Sequence, residues 1–163
     1  MPKTKKAKGP SSSSRSAPPR PVSGPAYWLF KTEAEEHSWD MQKARGKKGE
    51  PWTGVRNFVA RNNMKAMQLG DFGFFYHTGD EKQVVGIVEI IRENHPDPTA
   101  EKGEAWVVVD TRAVKSMPKP VTLAAIKADG QFKDMALVKY GRLSVQPVTP
   151  AHWKAICKMG GLK

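Results

Sequence analysis

The chain has 163 residues, with 27 Lys and Arg against 16 Asp and Glu, a formal charge of +11 and 39% hydrophobic residues. Those values describe one soluble domain with a real core and an attraction to polyanions, and no apolar run nears the roughly 18 residues that a membrane helix needs. The single cysteine, Cys157, excludes an internal disulfide and a multi-cysteine metal site and fits a reducing compartment inside the cell.

Residues 1 to 25 hold Lys3, Lys5, Lys6, Lys8, Arg15 and Arg20 with no acid. Lys, Ser, Pro and Gly dominate there, so the segment cannot offset its ordering entropy and is expected to be a disordered basic arm. A nuclear address, a nonspecific nucleic-acid tether and a solubilising extension all fit its composition. The folded domain is expected from 26 to 163.

The run from Tyr27 to Lys31 predicts a first strand, apolar on both faces, with Thr32 and Glu33 where the chain leaves the sheet. Ser38 then caps a short helix from Trp39 to Arg45, and Trp39 is assigned to the core. A loop rich in Gly and Lys delivers the chain to Trp52. Asn57 is a good cap for a helix from Phe58 to Met67, with Ala60, Met64 and Met67 on one face and Asn57, Arg61 and Lys65 on the adjacent one. An aromatic plane at Trp52, a permissive Gly54, the Arg56 guanidinium and free helix amides suit a flat, partly anionic ligand such as a nucleotide. A core Trp beside a capped helix with a solvated basic face fits the same residues.

Phe72 to His77 predicts a central strand, on which Tyr76 and His77 point to opposite faces unless a bulge intervenes. Tyr76 is favoured for stacking and His77 for a polar contact at the strand end. Gln83 to Ile91 forms the next strand, and Gly73 and Gly86 are expected to let the sheet coil. The segment His95 to Pro98 is expected to be a loop. Ala105 to Val114 is a strand with Val107, Val109, Thr111 and Ala113 on one face. Thr122 caps a short helix to about Ala128. Arg142, Ser144 and Gln146 alternate with Leu143 and Val145, placing three hydrogen-bonding side chains along a strand that Pro147 confines to an edge or end. Thr149 and Pro150 open the last helix, whose Trp153, Ile156 and Cys157 face the core; for Cys157 this reading outweighs that of a nucleophile. Successive strands without regular strand-helix alternation predict an α+β fold built on a small coiled sheet or barrel.

Three stretches resemble the EVE domain proteins, including the thymocyte nuclear protein group, within the PUA-like superfamily that also contains the YTH readers of methylated adenine. They are Tyr27 to Glu33, Trp52 to Asn62 and Gly141 to Val148, with Phe74 to His77 and Asn94 to Thr99 in support. The resemblance covers about residues 26 to 160. It implies a small mixed PUA-like β-barrel with flanking short helices, and a pocket for a modified, flipped-out base, with modified cytosines in DNA as the leading ligands. Thr32 and Ala34 depart from the usual Ser and Pro, and the loop between Thr99 and Ala105 is short.

Residues and resemblance together predict a non-catalytic module. Its base pocket is expected to use Trp28, Lys31, Thr32, Glu33, Trp52, Val55, Asn57, Tyr76, His77, Ser144 and Gln146, with Arg56, Arg61, Lys65 and Arg142 on phosphates. Modified DNA is favoured over RNA as partner; a reader of modified RNA and an adaptor or small-molecule domain are the alternatives. No cofactor, metal or membrane is expected, and the chain is expected to be a monomer. A bacterial source is favoured, with a cytoplasmic location; a eukaryotic source would make it nuclear.

Overall fold

The computed structural model describes Arg20 and residues 23 to 162. The expected basic arm otherwise lies outside the described residues. The strands are β1 (Tyr27–Thr32), β2 (Glu50–Pro51), β3 (Phe72–His77), β4 (Gln83–Pro96), β5 (Val107–Thr122) and β6 (Val145–Val148). The helices are α1 (Trp39–Ala44), α2 (Phe58–Ala66), α3 (Leu123–Ala128), α4 (Ala136–Lys139) and α5 (Pro150–Met159). Four of the five start on the expected chemistry. Ser38, Asn57, Thr122 and Thr149 each accept a hydrogen bond from a first-turn amide, a contact typically worth about 1 kcal/mol.

All six strands join one mixed sheet in the order β2-β5-β4-β3-β1-β6, in which only β1 and β3 run parallel. The sheet coils but its strands do not close a ring. Helix α2 packs against both β5 and β6, near the two ends of the sheet. There Asn63 Nδ2 donates to Val145 O at 2.8 Å, satisfying a backbone acceptor on the edge strand β6. The expected PUA-like architecture therefore stands, with a helix, not a strand pair, across the gap.

The doubly apolar first strand is explained by two cores. Successive side chains of a strand leave on opposite faces, so Trp28 and Phe30 enter one core and Leu29 the other. The first core gathers Trp39, Trp52, Met64, Phe75 and Val109; the second, under α3 and α5, gathers Phe74, Tyr76, Ile126, Phe132 and Trp153. Full burial of each such side chain contributes on the order of 1.5–3 kcal/mol. Gly73 and Gly86 serve clearance: a Cβ on the first would collide with the Phe30 ring, and on the second with Trp39. The missing side chains leave room for both rings against the strand backbone.

Two expectations change. Pro96 suggested a loop, yet His95 and Pro96 pair with Val108 and Val107 at the far end of a long β4-β5 ribbon, where cross-strand pairing outweighs the local turn signal. Arg20, assigned to the free arm, is held by the fold. Its guanidinium donates to both oxygens of buried Asp71 at 3.0 and 2.7 Å, and the same carboxylate accepts from Trp28 Nε1 and the amides of Ala26 and Gln68. Burial pushes the Asp71 carboxyl up, but Arg20 and these donors outweigh it and hold it below its ordinary value.

Candidate functional site

A cleft of about 580 Å³ opens where the end of β1, the turn before α1, the Trp52–Arg56 segment and the approach to β6 meet. Its volume suits a small ligand. Parallel pairing of β1 with β3 brings Thr32 beside His77 and lets Thr78 N donate to Thr32 O at 2.9 Å, which fixes one wall. Lys31 N donates to Ser144 O at 2.8 Å, extending the β1-β6 ladder and bringing Arg142 and Ser144 to the rim.

Lys31 is the cation built into this wall. Its Nζ donates to Gly141 O at 2.7 Å, and it has no carboxylate partner among the described residues. Burial lowers its pKa, as a desolvated ammonium requires. The neighbouring positive charges are largely compensated: Arg45 pairs with Glu50 at 3.0 Å, and Arg56 pairs with buried Asp97 at 3.0 Å. Arg142 is exposed and forms no ion pair among the described residues. Glu33 and Glu36 are exposed acids that also line the cleft.

Trp52 and Val55 form the apolar side. The indole is braced by Phe30 at 4.9 Å and by Phe75 at 5.5 Å between ring centroids, while His37 meets its edge at 5.8 Å. Trp52 is therefore both core and wall. Its N–H has no hydrogen-bond partner among the described residues.

The His37 tautomer follows from its neighbours. Gln42 Nε2 donates to the Thr111 carbonyl at 3.0 Å, an atom that can only accept, so Gln42 must present Oε1 to His37 Nε2 at 2.6 Å. Nε2 then carries the proton. The ring lines the cleft. Sequence reasoning missed this residue. A histidine immediately before a helix cap was its only local signal, and its place beside Trp52 depends on how α1 docks on β5.

The structure divides the expected site. Lys31, Thr32, Glu33, Trp52, Val55 and Ser144 line the cleft, together with Arg56 and Arg142. Trp28 does not: it is buried, with its N–H on Asp71. Asn57 has spent its oxygen on capping, accepting from Ala60 N at 2.9 Å, and lies outside the cleft. Gln146 is fully buried and donates to Leu143 O at 2.8 Å, because β6 is covered on both faces, Val145 entering the first core and Val148 the second. Tyr76, favoured for stacking, is buried in the second core, where loss of solvent pushes its phenol up to about 12. The register shift between Phe75 and Tyr76 does not bring it back.

His77 accepts from Trp39 N at 3.0 Å and faces Glu81 at 2.8 Å, so it is a polar contact at the strand end as expected, but not a cleft residue. Arg61 and Lys65 lie on α2, beyond the cleft lining. Arg56 is not a free cation: with Gly54 N it clamps Asp97 Oδ2, each at 3.0 Å. Burial pushes that carboxyl up, yet bonds from Thr99, Gly54 and Arg56 overcome it and hold it at about 2. The clamp ties the Trp52–Arg56 segment to the far end of β4.

No helix among the described residues is long and apolar enough to cross a membrane. Among those residues no group of three His, Cys, Asp or Glu is placed to hold a metal.

Residues 26–159 match the EVE domain family. Human thymocyte nuclear protein 1 is 34% identical over 155 residues, which span 76% of this chain and 69% of that protein. Among solved structures, a protein from Agrobacterium tumefaciens superposes with a TM-score of 0.82 at 55% identity, over 84% of this chain and 94% of the other. The human THYN1 protein in complex with DNA containing 5-methylcytosine superposes with a TM-score of 0.74 at 30% identity, over 85% and 99% of the two chains.

Proposed function

Because this chain belongs to the EVE domain family, we propose that it is a reader of modified nucleic acid, receiving one modified base, turned out of its stack, in the cleft beside Trp52. A modified cytosine in DNA is the ligand that best fits the chemistry. The observation that carries this reading is that the uncompensated Lys31 ammonium and the His37 ring line one cleft. A cytosine edge offers an amino donor beside acceptor atoms, so His37 can take the amino hydrogen while Lys31 Nζ and Ser144 Oγ reach the acceptors. Trp52 and Val55 meet the ring and its added methyl. Arg142 receives a phosphate.

The complex of human THYN1 with DNA containing 5-methylcytosine supports the same ligand class. Binding without turnover fits the side chains. The protonated nitrogen of His37 is committed to Gln42, and Cys157 packs half-buried against the second core, with its thiol pushed up to about 11 by burial.

Binding to otherwise identical DNA and RNA oligonucleotides, with cytosine or 5-methylcytosine at one position, tests the reading. The wild type should prefer the modified DNA. Lys31→Met and Ser144→Ala should each reduce that preference, whereas Arg142→Ala should weaken both DNAs alike and flatten the salt dependence. Equal discrimination in all four proteins would remove the cleft from the mechanism. Nucleosides recovered after long incubation should be unchanged in mass; a product lost in Lys31→Met would make the protein an enzyme.

A further inference from the structure

Outside the cleft, an exposed aromatic and cationic platform remains unused by any contact described above. Phe58, the first residue of α2, stacks on Trp106 with ring centroids 5.1 Å apart and 22° between planes. It is nevertheless 64% exposed, the highest value among the exposed large hydrophobic side chains. The Arg61 guanidinium lies 5.0 Å from the Phe58 centroid and 5.8 Å from that of Trp106, and Arg56 lies 5.5 Å from Trp106. A phenylalanine covered on one side by an indole and edged by a guanidinium, yet still mostly in water, presents its outer face to solvent.

The platform is held in place. Arg61 is braced by Asn62 Oδ1, with Nε at 3.3 Å and Nη2 at 3.2 Å, and Arg56 is fixed by Asp97. An aromatic face fixed in this way is open to a flat partner. Its surroundings indicate which kind. Lys65 follows Arg61 by four residues on α2, is exposed, and forms no ion pair among the described residues. In the adjoining loop, Glu104 is turned onto the Glu101 amide at 3.0 Å. Arg56 lines the cleft and also lies over Trp106, so platform and cleft are contiguous.

We propose that Phe58, backed by Trp106 and Arg61, is a second base-binding site that stacks the nucleotide flanking the one held in the cleft, with Lys65 on the next phosphate of the same DNA strand. The inference rests on the cleft reading and extends it. Stacking on an aromatic face tolerates any base, so the platform supplies affinity and register while the cleft supplies discrimination. It also stabilises the turned-out state: a neighbour that stacks on protein recovers part of what it loses when its partner leaves the helix.

The test is a double comparison by fluorescence anisotropy, on duplexes carrying 5-methylcytosine with the flanking nucleotide intact or abasic on either side. For the wild type, one of the two abasic positions should weaken binding by roughly fivefold or more, the lower end expected for one stacked base. Phe58→Ala should bind the intact duplex more weakly by a similar factor and be indifferent to that abasic position. Phe58→Trp should restore both affinity and sensitivity. Because Phe58 is exposed, thermal melting of Phe58→Ala should match the wild type, and a lowered melting temperature with unchanged abasic sensitivity would mean a structural role. An equal abasic penalty in wild type and Phe58→Ala overturns the platform. Failure of the cleft reading is separate: it shows as no preference for 5-methylcytosine over cytosine, while the platform is read on either DNA.

Discussion

Asp97→Asn removes the charge that organises the Trp52–Arg56 segment, and its effect should depend on pH in a predictable way. The buried carboxylate accepts from Gly54 N and Arg56 on one oxygen and from Thr99 N and Oγ1 on the other, the last two at 2.7 Å. These donors take its pKa from an ordinary 3.8 to about 2. At about 1.4 kcal/mol per pH unit, that difference is worth on the order of 2 kcal/mol of folding stability. The folded value is the depressed one. The contribution is therefore fully present above about pH 4, declines as the unfolded chain takes up the proton first, and is gone once the pH falls to about 2. Asp71 titrates in both proteins and cancels from the comparison. Urea unfolding, followed by tryptophan fluorescence for wild type and Asp97→Asn from pH 7 to pH 2, measures the gap. It should be at least about 2 kcal/mol at neutral pH and narrow by that amount in acid. A gap that stays constant across the range would refute the assignment of this stability to the ionised carboxylate.

Gly86→Ala places a methyl inside the Trp39 ring and should cost roughly 1–3 kcal/mol or more, read as a lowered urea midpoint with an unchanged slope. Trp52→Ala should destabilise the fold by about 3–5 kcal/mol, because the ring is only 7% exposed; a variant as stable as wild type would mean that Trp52 is not core. Arg20→Ala should lower stability by roughly 1–3 kcal/mol by leaving Asp71 without its charged partner, and removal of residues 1 to 25 should do the same, whereas removal of residues 1 to 19 should not. Alkylation of Cys157 at pH 8.5 should be far slower in native protein than in urea, since the folded thiol ionises only near 11; equal rates would show that the side chain is open to solvent.

Roles set by neighbours in the chain are legible in the sequence. Asn57, Ser38, Thr122 and Thr149 cap because capping needs one side-chain oxygen and an amide two or three residues on, and Thr149-Pro150 begins a helix for equally local reasons. The apolar run Trp28-Leu29-Phe30 already implied a strand between two cores, since strand geometry sends alternate side chains to opposite faces. The basic composition and the EVE resemblance likewise required no knowledge of the fold. Family membership and the mixed sheet followed from that information.

Which polar residues face the cleft was decided by tertiary contacts. Gln146 has the right chemistry for reading a base edge, but β6 is covered on both faces and buries it, whereas Asn57 is consumed locally by the cap of its own helix. Arg56 reads as a free guanidinium in sequence, but the fold sets it 3.0 Å from a buried carboxylate that lies 41 residues along the chain. His37, with no motif around it, joins the cleft lining with its Nε2 held by Gln42, which is itself oriented by Thr111 on β5, 69 residues further along the chain. Capping and strand alternation act over a few residues, so local chemistry determines them. The cleft is made where β1, β6 and the Trp52 segment converge, and the sheet's register and coil select the side chains that meet there.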